Sequence, residues 1–391
     1  MPPGIKADCS VADSTAILNS WLNGLPPGSS VQFPANGCFH IQGSLWLHNT
    51  AGLTINGNDS TILQTVPGPE SVVQPIVYLT QDTQLVMKNL TIDGAYNGSN
   101  GGVNFEGDYG LLLEADHGVT LNHISVNNIQ GDFIDLNAPN SGVTGSDTSL
   151  NSDIFVTHST FHHCGYHGLT IESADGVAFS QDAFSEIGTD AMDFEYDVYS
   201  TTFDAQGNPQ EAAQDNIRII NDNWNDFGGD WFASLQGQLP GVQEQNVVLS
   251  GNTINAHSPL VEVVGTNPYL TSSQYWNIGL TIANNTGLQG AIPIRGGSIT
   301  TPFAGSAMSI EAVVNTNIRA NIFPMFDGTP DYFPDTPYVA VLQALELRNL
   351  TMTGNNFSGA LGILDPTSQA NTNLVERGNL FGANGAQIDG G

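Results

Sequence analysis

Residues 161–173 read FHHCGYHGLTIES, and residues 174–197 read ADGVAFSQDAFSEIGTDAMDFEYD. In each segment a glycine (Gly165, Gly188) is followed two positions later by a polar residue (His167, Asp190) and then by alternating apolar and polar residues. Successive side chains of a β-strand point to opposite faces of the sheet. Each segment is therefore predicted to end in a short strand, and the second strand projects three carboxylates from one face: Asp193, Glu195 and Asp197.

Segments of this kind recur along the chain, each with a strand, a polar turn, a second strand and a Gly or Ser turn. Their matching apolar residues lie 23, 40 and 30 positions apart, at Phe161, Phe184, Trp224 and Ile254. Short strands that repeat with Asn, Gly and Asp turns predict a solenoid in which each repeat forms one coil. The consensus and helices of leucine-rich repeats are missing. We therefore predict an all-β fold, a parallel β-helix of about ten coils, spanning residues 1–391 as one domain without a linker.

One amphipathic helix is predicted, near the beginning of the chain. Asp13, Ser14 and Thr15 precede the segment AILNSWLNGL (16–25), whose apolar residues have helical spacing. Asp13 is the expected N-cap, and Gly24 or the following Pro pair is expected to end the helix. Because an open end of a solenoid exposes its core and its strand edges, we expect residues 13–24 to cap the first coil.

The capping segment and the strands after it carry a family resemblance. DSTAILNSWL (13–22), VQFPANGCFHI (31–41) and LTINGNDSTI (53–62) together resemble the start of the pectate-lyase-like superfamily of right-handed parallel β-helix proteins. The resemblance implies a right-handed solenoid and favours a carbohydrate-active enzyme. It does not imply one reaction, because this superfamily contains hydrolases, lyases, epimerases, esterases and phage tailspikes.

The charge of the chain excludes some partners. The formal net charge is −31, and Lys and Arg together number seven. This is too few for a basic patch, so nucleic acid is excluded as a partner. The chain contains no run of 18 apolar residues, so no membrane span is predicted. We expect a soluble protein in an acidic or salty exterior, with a polysaccharide or oligosaccharide as its partner and a monomer as its favoured state.

The three cysteines predict one disulfide. Cys9 precedes the capping helix and Cys38 follows the first strand, so a bond between them would attach the cap to the first coil. Cys164 is then free and is expected to be buried. Disulfides form in oxidising compartments. We therefore expect a secreted protein, and we interpret the initial Met as standing where a signal peptide was removed.

Alignment of the coils on their turn glycines stacks polar residues in three columns. Asp132, His167, Asp190 and Asp230 share the first column. Asp135, Thr170 and Asp193 share the second, and Asn137, Glu172 and Glu195 share the third. Neighbouring strands lie about 4.8 Å apart, so each column brings polar groups close together. Asp132, Asp190 and Asp230 follow turns and have the alternative role of bonding the turn backbone.

Paired carboxylates predict glycoside hydrolysis, because one can protonate the leaving oxygen while the other activates water. The predicted catalytic residues are Asp193, Glu195 and Asp190. The predicted substrate-binding residues are Asp135, His167, Glu172, Asp230, Trp231, Glu262 and Arg295. The site loosely resembles that of polygalacturonase-type hydrolases, which implies inversion. However, Asp190-Ala-Met-Asp193 replaces the adjacent Asp pair of that family and no Arg-Ile-Lys motif occurs, so we expect a neutral or weakly charged glycan rather than pectin.

Two other functions stay open. In a polysaccharide lyase or epimerase, Ca²⁺ held by Asp135, Asp193 and Glu195 would neutralise a uronate, although Arg218 and Arg295 are the only basic residues in the middle coils. A non-catalytic glycan-binding or tailspike-like rod would use the aromatic residues without needing stacked carboxylates. For the hydrolase we expect no required cofactor and no protein-bound metal. Ca²⁺ remains the expected ion of the lyase or epimerase alternative.

Overall fold

The structure is a computed structural model. It describes residues 5–65, 73–98, 107–137, 150–194, 202–203, 209–210, 214–227, 232–236, 244–255, 261–264, 277–288, 306–311, 313–322, 340–345, 349–358, 363–364, 375–382 and 386–387. Within these residues the chain forms one α-helix, Thr15–Asn23, and short strands. No helix in them is long and apolar enough to cross a bilayer.

An eleven-stranded parallel sheet runs along the molecule with one strand from each coil. Its strands, in spatial order, are Leu45–His48, Val77–Thr80, Leu111–Glu114, Ile134–Asn137, Leu169–Ile171, Met192–Phe194, Ala233–Gln236, Val261–Val264, Ser306–Glu311, Ala340–Leu345 and Ile363–Leu364. Each strand pairs in parallel with the strand of the next coil. The described residues therefore form a parallel β-helix of eleven coils, where the sequence predicts about ten.

The remaining strands of the coils form a larger sheet of 21 parallel strands. These are Ser30–Gln32, Cys38–Ile41, Thr54–Gln64, Val86–Asp93, Thr120–Ile129, Asn151–Thr157, Thr160–Cys164, Ala174–Ser180, Ala183–Ile187, Gln214–Ile220, Asn223–Phe227, Glu244–Gln245, Val248–Ser250, Thr253–Asn255, Asn277–Ile278, Thr281–Ala283, Thr286–Leu288, Val313–Val314, Asn317–Arg319, Thr351–Thr353 and Val375–Arg377. Thr202–Phe203 pairs with Pro209–Gln210, and Asn356–Ser358, Leu380–Gly382 and Ala386–Gln387 form a last small sheet.

The interior between the sheets is filled by side chains that stack from coil to coil. The register pairs Phe161 with Phe184, Phe184 with Trp224, and Trp224 with Ile254, as the repeat predicts. The rings of Phe161 and Phe184 stack at 4.3 Å, and those of Phe184 and Trp224 at 3.9 Å. All four side chains are buried. Similar residues therefore continue the core along the axis. This is required because one coil is too small to bury its apolar side chains without its neighbours.

A ladder of buried polar side chains crosses one turn of the large sheet. In seven successive coils, a residue in the left-handed conformation is followed by a buried Asn or Asp whose Oδ1 accepts the N–H of the equivalent residue one coil earlier. The rungs are Asp182, Asp222, Asn252, Asn285, Asn321, Asn355 and Asn379. In the asparagine rungs, Nδ2 also donates to a carbonyl of the preceding coil, for example from Asn252 to Ile219 at 2.9 Å. The ladder satisfies backbone groups that the bend removes from the sheet.

The helix Thr15–Asn23 covers the first strand of the eleven-stranded sheet. Asn19 and Asn23 face this strand and act as a side-chain substitute for a preceding strand. Asn19 accepts the N–H of Trp46 at 2.9 Å, while Asn23 donates to the carbonyl of Trp46 at 2.7 Å and accepts the N–H of His48 at 2.9 Å. The predicted cap is therefore present, and it protects a strand edge that could otherwise pair with another chain.

The start of this helix differs from the prediction. The helix begins at Thr15, and its N-cap residue is Ser14, whose side chain makes no capping bond. Asp13 instead accepts the N–H of Thr15 at 2.9 Å, two residues away, and also that of Gln42. Asp13 therefore fastens the helix to the turn that enters the first strand of the eleven-stranded sheet. Gly24 ends the helix as expected.

The disulfide joins Cys9 and Cys38, with their Cα atoms 5.0 Å apart, and Cys164 is free and buried. The backbone N–H of Cys9 also donates to the carbonyl of Cys38 at 3.0 Å. The bond therefore holds the segment before the cap against the first coil.

Removal of this disulfide should destabilise the protein. It closes a loop between residues 29 positions apart, for which the loss of chain entropy in the unfolded state amounts to about 3–4 kcal/mol. Cys9→Ser with Cys38→Ser should lower the free energy of unfolding by this amount in urea titrations, with Cys164→Ser as the control. Thiol titration of the denatured, non-reduced parent should find one free thiol, and a count of three would contradict the assignment.

The two aspartate rungs should make stability depend on pH. Burial raises the pKa of Asp182 to about 7 and that of Asp222 to about 8, and Oδ2 of Asp222 has no hydrogen-bond partner in the described structure. The folded state holds these two protons more tightly than the unfolded state. The contribution of Asp182 and Asp222 to the free energy of unfolding is therefore fully present below about pH 4 and is lost as the pH rises towards 8. Asp222→Asn adds the donor that the later rungs possess. It should raise the free energy of unfolding by about 1–3 kcal/mol near pH 8 and have less effect near pH 4.

Urea midpoints measured across this pH range test the sign, since equal effects at both ends would refute the protonation argument. Asp153→Asn, which alters an exposed carboxylate, is the matched control and should change neither the midpoint nor its pH dependence.

Candidate functional site

One column of the eleven-stranded sheet carries the predicted site. The strand register places Asp135 beside Thr170, Thr170 beside Asp193, and Asp193 beside Ser234. The neighbours of Asp193 on its own strand, Met192 and Phe194, are buried in the core. The alternation of the strand therefore places Asp193 on the opposite face, as the sequence predicts.

This face is enclosed rather than open at the middle coils. Asp135 is completely buried, and Asp193 is 5% exposed. Thr170 and His167 are buried as well. The polar cluster is therefore largely shielded from water, where charge–charge interactions are stronger and pKa values move further than in an exposed groove.

Asp132 fixes the positions of two neighbours. Its Oδ1 accepts the backbone N–H of His167 at 2.8 Å, and its Oδ2 accepts the hydroxyl of Thr170 at 2.7 Å. It lies in the turn one coil before His167 and is itself buried. The turn role considered for Asp132 is therefore correct, and this role also orients side chains of the site.

His167 contacts Asp193 across adjacent coils. Its Nε2 lies 3.5 Å from Oδ2 of Asp193, and its Nδ1 lies 2.9 Å from the hydroxyl of Thr189. Burial lowers the pKa of His167 to about 4 despite the nearby carboxylate. The imidazole is therefore neutral at higher pH. When the hydroxyl of Thr189 donates to Nδ1, the single imidazole proton lies on Nε2 and faces Asp193.

Asp135 occupies a different electrostatic environment. Its burial, together with the charges of Asp132 and Glu114, raises its pKa well above the ordinary range. Tyr109 and Asn137 lie close enough to oppose this rise, although neither carboxylate oxygen of Asp135 has a hydrogen bond of ordinary geometry among the described residues. Asp135 is therefore held in its protonated form.

Glu114 is the second carboxyl group with a raised pKa on this face. It follows Leu112 by two positions on its strand and pairs in register with Asn137. Burial raises its pKa to about 7, and the hydroxyl of Tyr78 donates to its Oε2 at 2.5 Å. Acidic groups therefore continue from the middle coils towards the helical cap.

The predicted site residues fall into two groups. The structure brings together Asp193, Asp135 and His167, with Asp190 one coil beyond His167, where its carbonyl accepts the N–H of Gly168. Glu172 is half-buried at the end of the Thr170 strand, and its N–H donates to the carbonyl of Leu136. Glu262 pairs in register with Ser234, which places its backbone in the Asp193 column. The other predicted residues, Glu195, Asp230, Trp231 and Arg295, lie outside the described residues.

Three further features of the described residues lie at or near this site. Phe232 packs in the core beside Trp224, with ring centroids 5.5 Å apart. The thiol of Cys164 is buried, its Sγ lies 3.3 Å from the carbonyl oxygen of His167, and burial raises its pKa. A buried thiol of this kind is a poor nucleophile. Within the described residues, no group of three His, Cys, Asp or Glu side chains is arranged to hold a metal ion.

The sequence reasoning missed the first three coils of this face. Trp46, Tyr78 and Leu112 precede Asp135 in the same column. The segments LWLH (45–48), VYLT (77–80) and LLLE (111–114) show the alternation from which they could have been aligned. The alignment began only at the coil of Asp132, so the aromatic side chains and Glu114 were not connected with the carboxylates.

Comparison with known proteins identifies the fold. No family model matches the chain, and no curated protein is detectably similar in sequence. The family 28 exopolygalacturonase of Yersinia enterocolitica has a similar structure, with a TM-score of 0.57 and 11% identity over 97% of this chain and 74% of that one. The A-module of a mannuronan C-5 epimerase from Azotobacter vinelandii aligns with a TM-score of 0.57 and 13% identity over 99% of this chain and 98% of that one.

A surface adhesin of Streptococcus pneumoniae, PfbA, aligns equally well, with a TM-score of 0.57 and 14% identity over 99% of this chain and 94% of that one. At such low identities, these similarities show the fold but not the activity. The neighbours are right-handed parallel β-helix proteins. This chain has the same fold as these proteins, a right-handed parallel β-helix.

Proposed function

We propose that the protein is a glycoside hydrolase that uses carboxyl groups on the outward face of the eleven-stranded sheet as acid and base. The observation that carries this proposal is the contrast between Asp135 and Asp193. Burial, together with the nearby Asp132 and Glu114, raises the pKa of Asp135 and favours its protonated form, whereas Asp193 faces the imidazole of His167 at 3.5 Å. Two carboxyl groups with different environments are what acid–base cleavage of a glycosidic bond needs.

Asp135 is assigned as the general acid, which protonates the leaving glycosidic oxygen. Asp193 is assigned as the general base, which takes a proton from the attacking water. Thr189 and Asp132 position His167. In the tautomer with its proton on Nε2, the imidazole stabilises the anionic form of Asp193. Asp190 and Glu195 remain the other predicted carboxylates, with Glu195 the alternative partner of Asp193.

The spacing of the pair supports inversion. Asp135 and Asp193 lie two strand steps apart, with Thr170 between them, so their backbones are separated by about 10 Å. Inverting enzymes separate their carboxyl groups by about 6.5–9.5 Å to admit water, while retaining enzymes hold them about 5–5.5 Å apart. The backbone separation is nearer to the inverting range than to the retaining range, so we propose inversion without a covalent intermediate.

The described strands favour hydrolysis over elimination. Removal of a proton next to a uronate carboxylate needs that carboxylate neutralised, commonly by a cation. None of the eleven strands of this sheet contains Lys or Arg, and Arg218 lies exposed on a strand of the large sheet. The described structural neighbours include a hydrolase, an epimerase and an adhesin. We propose secretion as well, supported by the disulfide between Cys9 and Cys38.

Amide substitutions test the assignment. Asp193→Asn, Asp135→Asn and Glu195→Gln keep the side-chain shape and remove the ionisable group. For each true acid or base, kcat on a glycan cleaved by the parent should fall by at least about 10²-fold. Asp153→Asn, which lies on the large sheet, is the matched control and should retain full activity.

The roles of acid and base are separable by leaving group. An aryl glycoside with an acidic phenol needs little protonation, so Asp135→Asn should lose far less activity on it than on the natural linkage, and Asp193→Asn should lose equally on both. Cleavage by the parent that leaves an unsaturated uronate at the new non-reducing end would establish elimination and contradict the hydrolase. A requirement for Ca²⁺ after chelation would favour elimination.

A further inference from the structure

An exposed aromatic group lies at the start of the same column as the carboxylates. Trp46 belongs to the first strand of the eleven-stranded sheet, and 44% of its surface is exposed. Its ring stacks on that of Tyr78 with centroids 5.9 Å apart and an interplanar angle of 17°. The imidazole of His48, two positions along the same strand and therefore on the same face, lies 5.2 Å from the indole. We call Trp46, Tyr78 and His48 the aromatic platform.

Hydrogen bonds hold every ring of the aromatic platform. The indole N–H of Trp46 donates to Oγ1 of Thr80 at 2.8 Å, and this hydroxyl lies 3.0 Å from Nδ1 of His48. The hydroxyl of Tyr78 donates to Glu114. These bonds use polar atoms of the rings and leave the apolar surface of the indole towards solvent. A ring fixed in this way loses little conformational entropy when a ligand binds.

The backbone of the platform is also fixed. Asn19 and Asn23 of the capping helix bind the N–H and carbonyl of Trp46, and Asn23 binds the N–H of His48. The exposed position of Trp46 is therefore set by the cap and the neighbouring coil together. Lone exposed apolar side chains are common, but a hydrogen-bonded cluster of three rings needs a further explanation.

The aromatic platform is aligned with the candidate catalytic residues. In register, Trp46 pairs with Tyr78, Tyr78 with Leu112, and Leu112 with Asp135. Three strand steps separate Trp46 from Asp135, which corresponds to about 14 Å along the axis. A ligand that extends from Trp46 to the coil of Asp135 must therefore be an elongated chain lying parallel to the axis of the solenoid.

The charge of this face selects the type of chain. The eleven strands contain no Lys or Arg that could attract an anion, Asp193 lies on this face, and the net charge of the protein is −31. A polyuronate would be repelled by such a face. An indole with polar neighbours instead suits a neutral sugar, whose ring has an apolar face and hydroxyl groups at its edge.

We propose that the aromatic platform is a distal sugar-binding subsite for a neutral glycan whose chain extends along the eleven-stranded sheet to Asp135 and Asp193. The cleavage of that chain rests on the proposed function, but its binding at Trp46 does not. A substrate that uses this subsite must have uncharged sugars at this end and must be several sugar units long.

Binding is measured with Asp193→Asn as the parent, so that the glycan is not consumed. Native gels contain one of four neutral polysaccharides (galactomannan, xyloglucan, β-1,3-glucan or α-1,3-glucan) or one of two uronates (polygalacturonate or alginate). At least one neutral polysaccharide should retard the parent. Trp46→Ala should weaken that binding by about 10-fold or more, as loss of an aromatic anchor commonly does, and Trp46→Phe should retain most of it. Phe155→Ala is the matched control, because Phe155 is 46% exposed on the large sheet, and it should bind like the parent.

A second measurement needs no substitution at Trp46. Mild oxidation of tryptophan, read by peptide mass spectrometry, should be slowed at Trp46 by the retarding glycan. Three results would each overturn the subsite. The first is that no neutral polysaccharide retards the parent, and the second is that the uronates retard it more strongly. The third is that Trp46→Ala binds as well as the parent and the glycan does not protect Trp46 from oxidation. The subsite would also be overturned if Trp46→Ala still bound the glycan but no longer bound a protein partner of the parent. That result would favour an adhesin surface.

Kinetics separate this proposal from the hydrolase assignment. In the active parent, Trp46→Ala should lower kcat/KM about 10-fold for long chains and leave it unchanged for fragments too short to reach from Asp135 to Trp46. An equal loss on both lengths would indicate a structural role and refute the subsite while the hydrolase stands. Binding that depends on Trp46 in a parent that cleaves no glycan would preserve the subsite and refute the hydrolase.

Discussion

The stacking of successive coils in one register is the constraint on which the rest of the structure depends. Each strand takes its backbone partners from the coils before and after it, so a turn that shifted the register would leave buried polar groups without partners. The ladder from Asp182 to Asn379 prevents such a shift by bonding the turn backbone of one coil to a side chain of the next. At the N-terminal end, Asn19 and Asn23 supply the same kind of bond from a helix.

The same stacking also brings acidic groups close together, and their cost to stability differs between the two sheets. In the turn ladder, asparagine fills five of the rungs and both donates and accepts, whereas Asp222 leaves one oxygen without a partner. On the eleven-stranded sheet, Asp135 is buried near Asp132 and Glu114, which raises its pKa. Asparagine would relieve the strain at either place. Carboxyl groups retained on a strand face, where no turn needs them, are better explained by chemistry than by folding.

A solenoid arranges its functional groups in a line rather than around a central pocket. On this protein the line begins at the solvent-exposed indole of Trp46 and ends among the shielded carboxyl groups around Asp193. Exposure therefore decreases along the column from Trp46 to the coils of Asp135 and Asp193. This gradient agrees with the proposed hydrolase, in which a polymer would be held where water has access and cleaved where water is restricted, because a shielded site shifts the pKa values on which proton transfer depends.

The sequence by itself determined the features that depend on short periods. Alternation predicted the strands, and the repeat predicted the stack from Phe161 to Trp224 and the outward position of Asp193, because both follow from which residues are local neighbours. The position of the cysteines beside the cap predicted their pairing. The tertiary structure alone decided the burial of Asp135, the contact of His167 with Asp193 and the locking of Trp46 by Thr80. These join residues about 26 to 34 positions apart, or depend on what covers a side chain, and neither burial nor the pKa that follows from it is encoded in a local pattern.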